Sequence, residues 1–124
     1  MTDLNDLYTV AAHDAGAEMQ VKGPEGVKLD MFIKFVGVDS EKWGDIQREY
    51  KPKQIEDAIA GGKSANRLVA EMLSKAAIGW RGFKNKRKNV PFTEENLFTL
   101  FMNAPYIREQ ADDFIARRIN FMKG

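Results

Sequence analysis

The chain contains no cysteine and a single histidine among its 124 residues. The first absence excludes disulfides and thiolate metal sites and fits a reducing compartment. The second removes multi-histidine metal centres and most imidazole-based catalysis. No run approaches the roughly twenty apolar residues that a membrane span needs. The start Met-Thr-Asp-Leu-Asn-Asp has neither a basic region nor an apolar stretch of the secretory kind. The expectation is a soluble, intracellular protein with no cofactor. Internal repeats and low-complexity tracts are lacking too.

What is present suits one domain over residues 1–124, with 1–15 expected to be a flexible, polar N-terminal segment. At 44% hydrophobic and 30% charged residues, a chain of this length buries about two thirds of its unfolded surface without staples. His13, beside Asp14 in that segment, is expected to be exposed. Net charge is only +1, but it is unevenly spread. Asp3, Asp6, Asp14 and Glu18 are the full charges of the first twenty residues, whereas Arg81, Lys84, Lys86, Arg87 and Lys88 crowd one segment free of acids. Five cations are few beside a DNA-binding stripe, so this segment reads as a solvated loop and nucleic acid is not the expected partner.

The hydrophobic period changes once along the chain. Ala17–Val21 and Lys28–Val36 suit strands, with Leu29, Met31, Ile33 and Phe35 on one face, Asp30 and Lys34 on the other, and Phe32 and Val36 making that second face partly apolar. Gly23-Pro24-Glu25-Gly26 between them supplies turn chemistry. The reading is an antiparallel hairpin, which must be covered by helices or another chain to be stable. From Gly37 onward the pattern is helical. Asp39 or Ser40 caps a helix carrying Trp43, Ile46 and Tyr50, and Pro52 is expected to interrupt it. A segment from Lys53 to Ala60 stops at Gly61-Gly62. Ser64 opens a helix with the stripe Leu68, Val69, Met72, Leu73, Ala76 and Ala77, which Gly79 ends. Thr93 caps a very apolar helix through Met102, and Pro105 starts a last one with Ile107, Ala111, Phe114, Ile115, Ile119 and Met122 on its apolar face. The fold class is therefore α+β: four to five short helices with an N-terminal antiparallel β-hairpin.

No motif points to catalysis, and the chain is not expected to be an enzyme. Gly61-Gly62-Lys63-Ser64 has the end of a phosphate-binding loop, but that pattern requires glycine where Asp57 stands. Glu94-Glu95 and Asp112-Asp113 are adjacent pairs whose side chains diverge on a helix. Trp80 and Phe92, and the set Phe98, Phe101, Phe114 and Phe121, read as core aromatics.

The order of these elements resembles a known family. The hairpin, Val36-Gly37-Val38-Asp39-Ser40, short helices, Gly79-Trp80, Pro91-Phe92-Thr93-Glu94-Glu95-Asn96, Pro105 and Asn120-Phe121 together look like tail assembly chaperones of long-tailed (siphovirus-type) bacteriophages, over residues 17 to 122. Lys84-Asn85-Lys86-Arg87-Lys88 departs from that likeness, standing where a shorter acidic or glycine-containing turn is expected. The resemblance implies a non-catalytic protein of the host cytoplasm, absent from the mature virion, that coats the tape-measure protein and keeps it soluble. It also implies contact with the tail-tube protein through a frameshift-extended form. Many copies tiling one client implies homo-oligomers, with the hairpin edge as a contact. The residues expected to meet partners are Phe32, Val36, Arg81, Lys84, Lys86, Arg87 and Lys88. The alternative is a small accessory protein that binds nucleic acid through Arg81 and the basic loop.

Overall fold

The computed structural model describes residues 3–122, and its architecture is α+β: five α-helices with a three-stranded antiparallel sheet, on which α3 and α5 pack, among the described residues. Strands β1 (Ala17–Lys22) and β2 (Lys28–Phe35) form the expected hairpin, paired from Ala17 opposite Phe35 to Lys22 opposite Lys28. A strand not foreseen, β3 (Ala77–Arg81), lies antiparallel on the other side of β2. Gly79 therefore sits inside a strand and does not end a helix. The preceding helix α3 (Ala65–Ala76) stops at Ala76, and the β-branched and aromatic side chains of Ile78 and Trp80 favour extension once the chain meets the free edge of β2.

The alternation of the sheet separates its two faces. Met19 and Val21 of β1, with Ile33 and Phe35 of β2, are buried under the helices, and Trp80 of β3 packs against the same cluster. The opposite face carries Glu18, Lys22, Asp30 and Lys34, all exposed. Val36 corrects the expectation. Simple alternation would place it on the outer face with Phe32, yet it is 3% exposed and belongs to the core. The β2–β3 register shifts between Lys34 and Phe35, where Ile78 is the extra residue. That bulge lies on β3 and leaves the alternation of β2 intact; Val36 escapes the alternation because it stands past the end of β2, where its N–H bonds to the carbonyl of Ala76.

Helix α2 runs unbroken from Glu41 to Ile59, straight through Pro52, so the two short helices expected there are one. Pro52 removes the bond to the carbonyl of Arg48. Both residues are exposed, so water can serve that carbonyl, and packing on α3 holds the helix together on its inner side. Ser40 caps α2 by accepting from the Trp43 N–H at 3.1 Å. Ser64, by contrast, uses no hydroxyl bond to open α3; its N–H donates to the Asp57 carboxylate at 2.9 Å, tying the end of α2 to the start of α3.

Leu68, Met72, Leu73 and Ala76 of α3 are buried as read from the sequence, and Thr93 caps α4 (Glu94–Asn103) by accepting from Asn96 N–H. Helix α5 (Pro105–Ala116) buries Ile107, Ala111 and Ile115. Ile119 was expected on that face, but α5 ends first and Ile119 is exposed in the following 3-10 turn (Arg118–Phe121). Of the four phenylalanines assigned to the core, Phe101 and Phe121 are fully buried, while Phe98 and Phe114 are half-buried against it.

Within the N-terminal segment, the expected exposure of His13 is corrected. Residues Leu4–Leu7 form a 3-10 turn and Val10–Ala15 form α1; residues 1–2 lie outside the described residues. His13 on α1 is 0% exposed, not solvated. Its ring lies against Phe121 at 4.8 Å and fills the space above Gly37, where any Cβ would overlap the imidazole. Asp39 N–H donates to His13 Nδ1 at 3.0 Å. Asp39 in turn accepts from Thr9 at 2.6 Å and from both arms of the Arg118 fork at 2.7 and 2.9 Å. One aspartate thus joins α1, the β2–α2 corner and the C-terminal 3-10 turn. The Arg118 and Thr9 bonds hold the Asp39 carboxyl well below its ordinary value, at about 2.

Candidate functional surfaces

The seven residues expected to meet partners fall in three places. Val36 is inside the core. Phe32 and Arg81 come together on the outer face of the sheet. Lys84, Lys86, Arg87 and Lys88 stand on a small hairpin beyond β3.

On the outer sheet face, the Arg81 guanidinium lies 3.8 Å from the centroid of the Phe32 ring and makes two bonds to Glu18, at 2.9 and 3.1 Å. Glu18, Phe32 and Arg81 belong to β1, β2 and β3, so the cluster crosses the whole sheet. The bond from Arg81 holds the Glu18 carboxyl below its usual range. This arrangement satisfies its own charges and covers the one large apolar side chain of that face. The hairpin edge assigned to self-association is occupied on the β2 side and engaged at one end of β1. β2 is the central strand, and Gln110 of α5 bonds both the N–H and the carbonyl of Lys22, at 2.9 and 2.7 Å, on the outer side of β1.

The basic segment is not a loop. Lys84–Asn85 (β4) and Lys88–Asn89 (β5) pair antiparallel around Lys86 and Arg87, whose φ values of 51° and 69° place both in the left-handed region. Two turn residues with positive φ make the type I′ geometry that matches strand twist, for which asparagine and glycine are the relaxed choices. Lysine and arginine there cost on the order of 1 kcal/mol each. The ion pairs among the described residues leave Lys84, Lys86, Arg87 and Lys88 unengaged.

Aromatic packing fixes the base of this hairpin. Phe83 is buried and stacks on Trp80 at 4.2 Å, and Phe92 meets the Trp80 ring edge-on at 5.8 Å. Trp80 Nε1–H donates to the carbonyl of Val90 at 3.0 Å, and Val90 N–H to that of Phe83 at 2.9 Å. Gly82, with φ of 86°, turns the chain out of β3 against the Asp30 carbonyl, which a Cβ would overlap. Trp80, half-buried against the core, anchors the hairpin as well, whereas Phe92, read from the sequence as core, is 36% exposed and only lies along the edge of Trp80.

A further surface was missed in the sequence. α2 buries Ile46 and Tyr50 against α3, yet Ile55 is 53% and Ile59 is 83% exposed. At 3.6 residues per turn, Pro52, Ile55 and Ile59 fall roughly 180° from the buried stripe. Lys51 and Glu56, both exposed, flank them. Two apolar stripes on opposite sides cancel as a one-faced pattern, which is why α2 reads from sequence as weakly amphipathic; the signal lay in the i, i+3, i+7 spacing of Pro52, Ile55 and Ile59.

Among the described residues there is no group of three histidine, cysteine, aspartate or glutamate side chains placed to hold a metal ion, and no helix long and apolar enough to cross a membrane. Compared with known proteins, the chain matches no family model, no curated protein and no solved structure.

Proposed function

We propose that this protein is a non-catalytic tail assembly chaperone of a long-tailed bacteriophage, which covers the apolar stripe of a tape-measure helix with the outer face of α2. The observation that supports this reading is the second stripe of α2. Ile55 and Ile59 are exposed on a helix whose opposite side is already buried, so their exposure does nothing for the fold. An apolar row at helical spacing, flanked by Lys51 and Glu56, suits an amphipathic helix lying alongside it. The stripe is small, and a small stripe gives weak, reversible cover, as a chaperone that yields to tube assembly requires. Copies tiling one client then act through multivalency, each adding little. In this reading the protein works in the host cytoplasm and stays out of the virion, and a frameshift-extended form would recruit the tube protein.

The test is co-expression with the tape-measure protein from the same genome. The wild type should raise the soluble fraction of that client. Ile55→Asp with Ile59→Asp should not, while its far-ultraviolet circular dichroism and melting temperature stay at wild-type values. A client that remains insoluble beside the wild-type protein sinks the chaperone reading, and a double variant that still solubilises it removes α2 from the mechanism.

A further inference from the structure

The basic hairpin has no part in capturing an apolar helix, and its construction asks for a separate explanation. From Arg81 to Val90 there is no acidic residue, and Lys84 through Asn89 are all exposed. The register places Lys84 opposite Asn89 and Asn85 opposite Lys88. Directly opposed residues share a face and successive residues alternate. Each face of the ribbon therefore carries one lysine and one asparagine, and the tip carries Lys86 and Arg87. The two tip cations occupy the left-handed positions that asparagine and glycine fill without strain. Their presence there is a choice of charge over turn relaxation.

We infer that this hairpin binds duplex DNA, entering the major groove and contacting phosphates on both walls. The major groove admits a two-stranded ribbon, and cations on both faces and the tip reach opposite phosphate rows. The composition separates this from a protein partner. Protein interfaces are depleted in lysine and centre on buried aromatic or aliphatic anchors. The exposed span 84–89 has no apolar side chain at all; of the aromatics at its base, Phe83 is buried, Trp80 is half-buried, and the exposed Phe92 lies outside the ribbon, edge-on to Trp80. Interfaces with DNA are polar and positive, and the two asparagines add amide donors and acceptors. The packed base of Trp80, Phe83 and Phe92 holds the ribbon in shape before it binds, which lowers the ordering cost. This site is independent of the α2 stripe and stands or falls without it.

The experiment is fluorescence anisotropy of a labelled duplex of arbitrary sequence titrated with the full chain, over salt from about 20 to about 200 mM. With four cations each meeting a phosphate, log K should fall against log salt with a slope of about −3 to −4. Lys86→Asn with Arg87→Gly is the discriminating variant. It should bring the slope to about −2 and weaken binding at low salt by on the order of tenfold or more. Its melting temperature should rise at the same time, because the turn is relaxed. Stability and binding moving in opposite directions is the signature of cations kept for a ligand. Absence of duplex binding at the lowest salt overturns the inference, as does unchanged binding by the variant or a melting temperature that falls. Tighter binding to a polyglutamate peptide, or to a single strand of the same sequence, also overturns it, since either would assign the hairpin to a different partner.

Discussion

Acidification from pH 7 to pH 5 should destabilise this protein through one residue, His13. Its Nδ1 accepts from the Asp39 N–H, so the neutral ring carries its proton on Nε2. That Nε2–H is buried with no partner, because the nearest carboxylate oxygen, Asp39 Oδ2, is 3.9 Å away. A second proton would have to go on Nδ1, where it would face the Asp39 N–H and put a charge in a fully buried ring. Burial is accordingly the main influence lowering the His13 pKa from 6.5, aided by Arg118, while Asp39 and Asp14 oppose it. These are the charged groups that α1, the β2–α2 corner and the C-terminal turn present to the ring.

The direction of the effect follows from linkage. The unfolded chain binds the proton at 6.5 and the folded one resists it, so the contribution of His13 is complete above 6.5 and shrinks as pH falls below that value. One group changes stability by at most about 1.4 kcal/mol per pH unit. Between 6.5 and pH 5 the ceiling is therefore about 2 kcal/mol, a large share of the 5–15 kcal/mol or so typical of a domain. No other histidine exists in the chain, and carboxylates titrate lower, so this window belongs to His13 among the side chains. Urea denaturation at several pH values measures it. His13→Asn is the control, since its amide oxygen can stand in for Nδ1 as acceptor without titrating. Wild-type stability should fall through the window while the variant stays flat. Parallel profiles, or a wild type that gains stability on acidification, would refute the reasoning.

Two further predictions concern stability alone. Pro52→Ala should raise it by about 1–3 kcal/mol in urea denaturation, because the bond to the Arg48 carbonyl returns in the middle of an otherwise continuous α2; a neutral or destabilising outcome would mean that Pro52 supports the helix in a way its exposed position does not reveal. Trp80→Ala should cost about 2–4 kcal/mol, somewhat less than for a fully buried tryptophan because Trp80 is only half-buried. The same change should erase the near-ultraviolet signal of its stack with Phe83 and loosen the hairpin, seen as faster amide exchange at Val90.

Much of the fold was legible because periodicity reports burial wherever an element has one buried face. The hairpin, the Ser40 and Thr93 caps, the stripe of α3 and the start of α5 at Pro105 all follow from local pattern. The errors share a different cause: in each, a tertiary partner decided the outcome. Ile78 and Trp80 extend because β2 offers an unpaired edge, and Val36 turns inward where the chain leaves β2 and bonds to Ala76. Pro52 breaks nothing because its helix is held from the other side. His13 is buried because Gly37, 24 residues further along the chain, leaves room for a ring that sequence distance conceals. Among the expected partner residues, Phe32 and Arg81 were rightly placed on a surface but satisfy each other and Glu18, which pattern along a single strand could not disclose.

The local features that folding does not explain are the ones that bear on function. A stable domain has no need of isoleucines at 55 and 59 facing water, nor of lysine and arginine in a turn that asparagine and glycine would relax. Natural sequences agree with their fold at nearly every level and break the rule mainly at functional or strained sites. By that criterion the cluster of Glu18, Phe32 and Arg81 drops out, since it is fully accounted for by its own contacts. The outer stripe of α2 and the basic hairpin are among the features that remain, and they differ in chemistry: one is apolar and insensitive to salt, the other cationic and steeply sensitive to it. A single salt titration against both ligands would therefore assign each surface separately, with loss of α2 binding at low salt or persistence of hairpin binding at high salt arguing against the respective assignment.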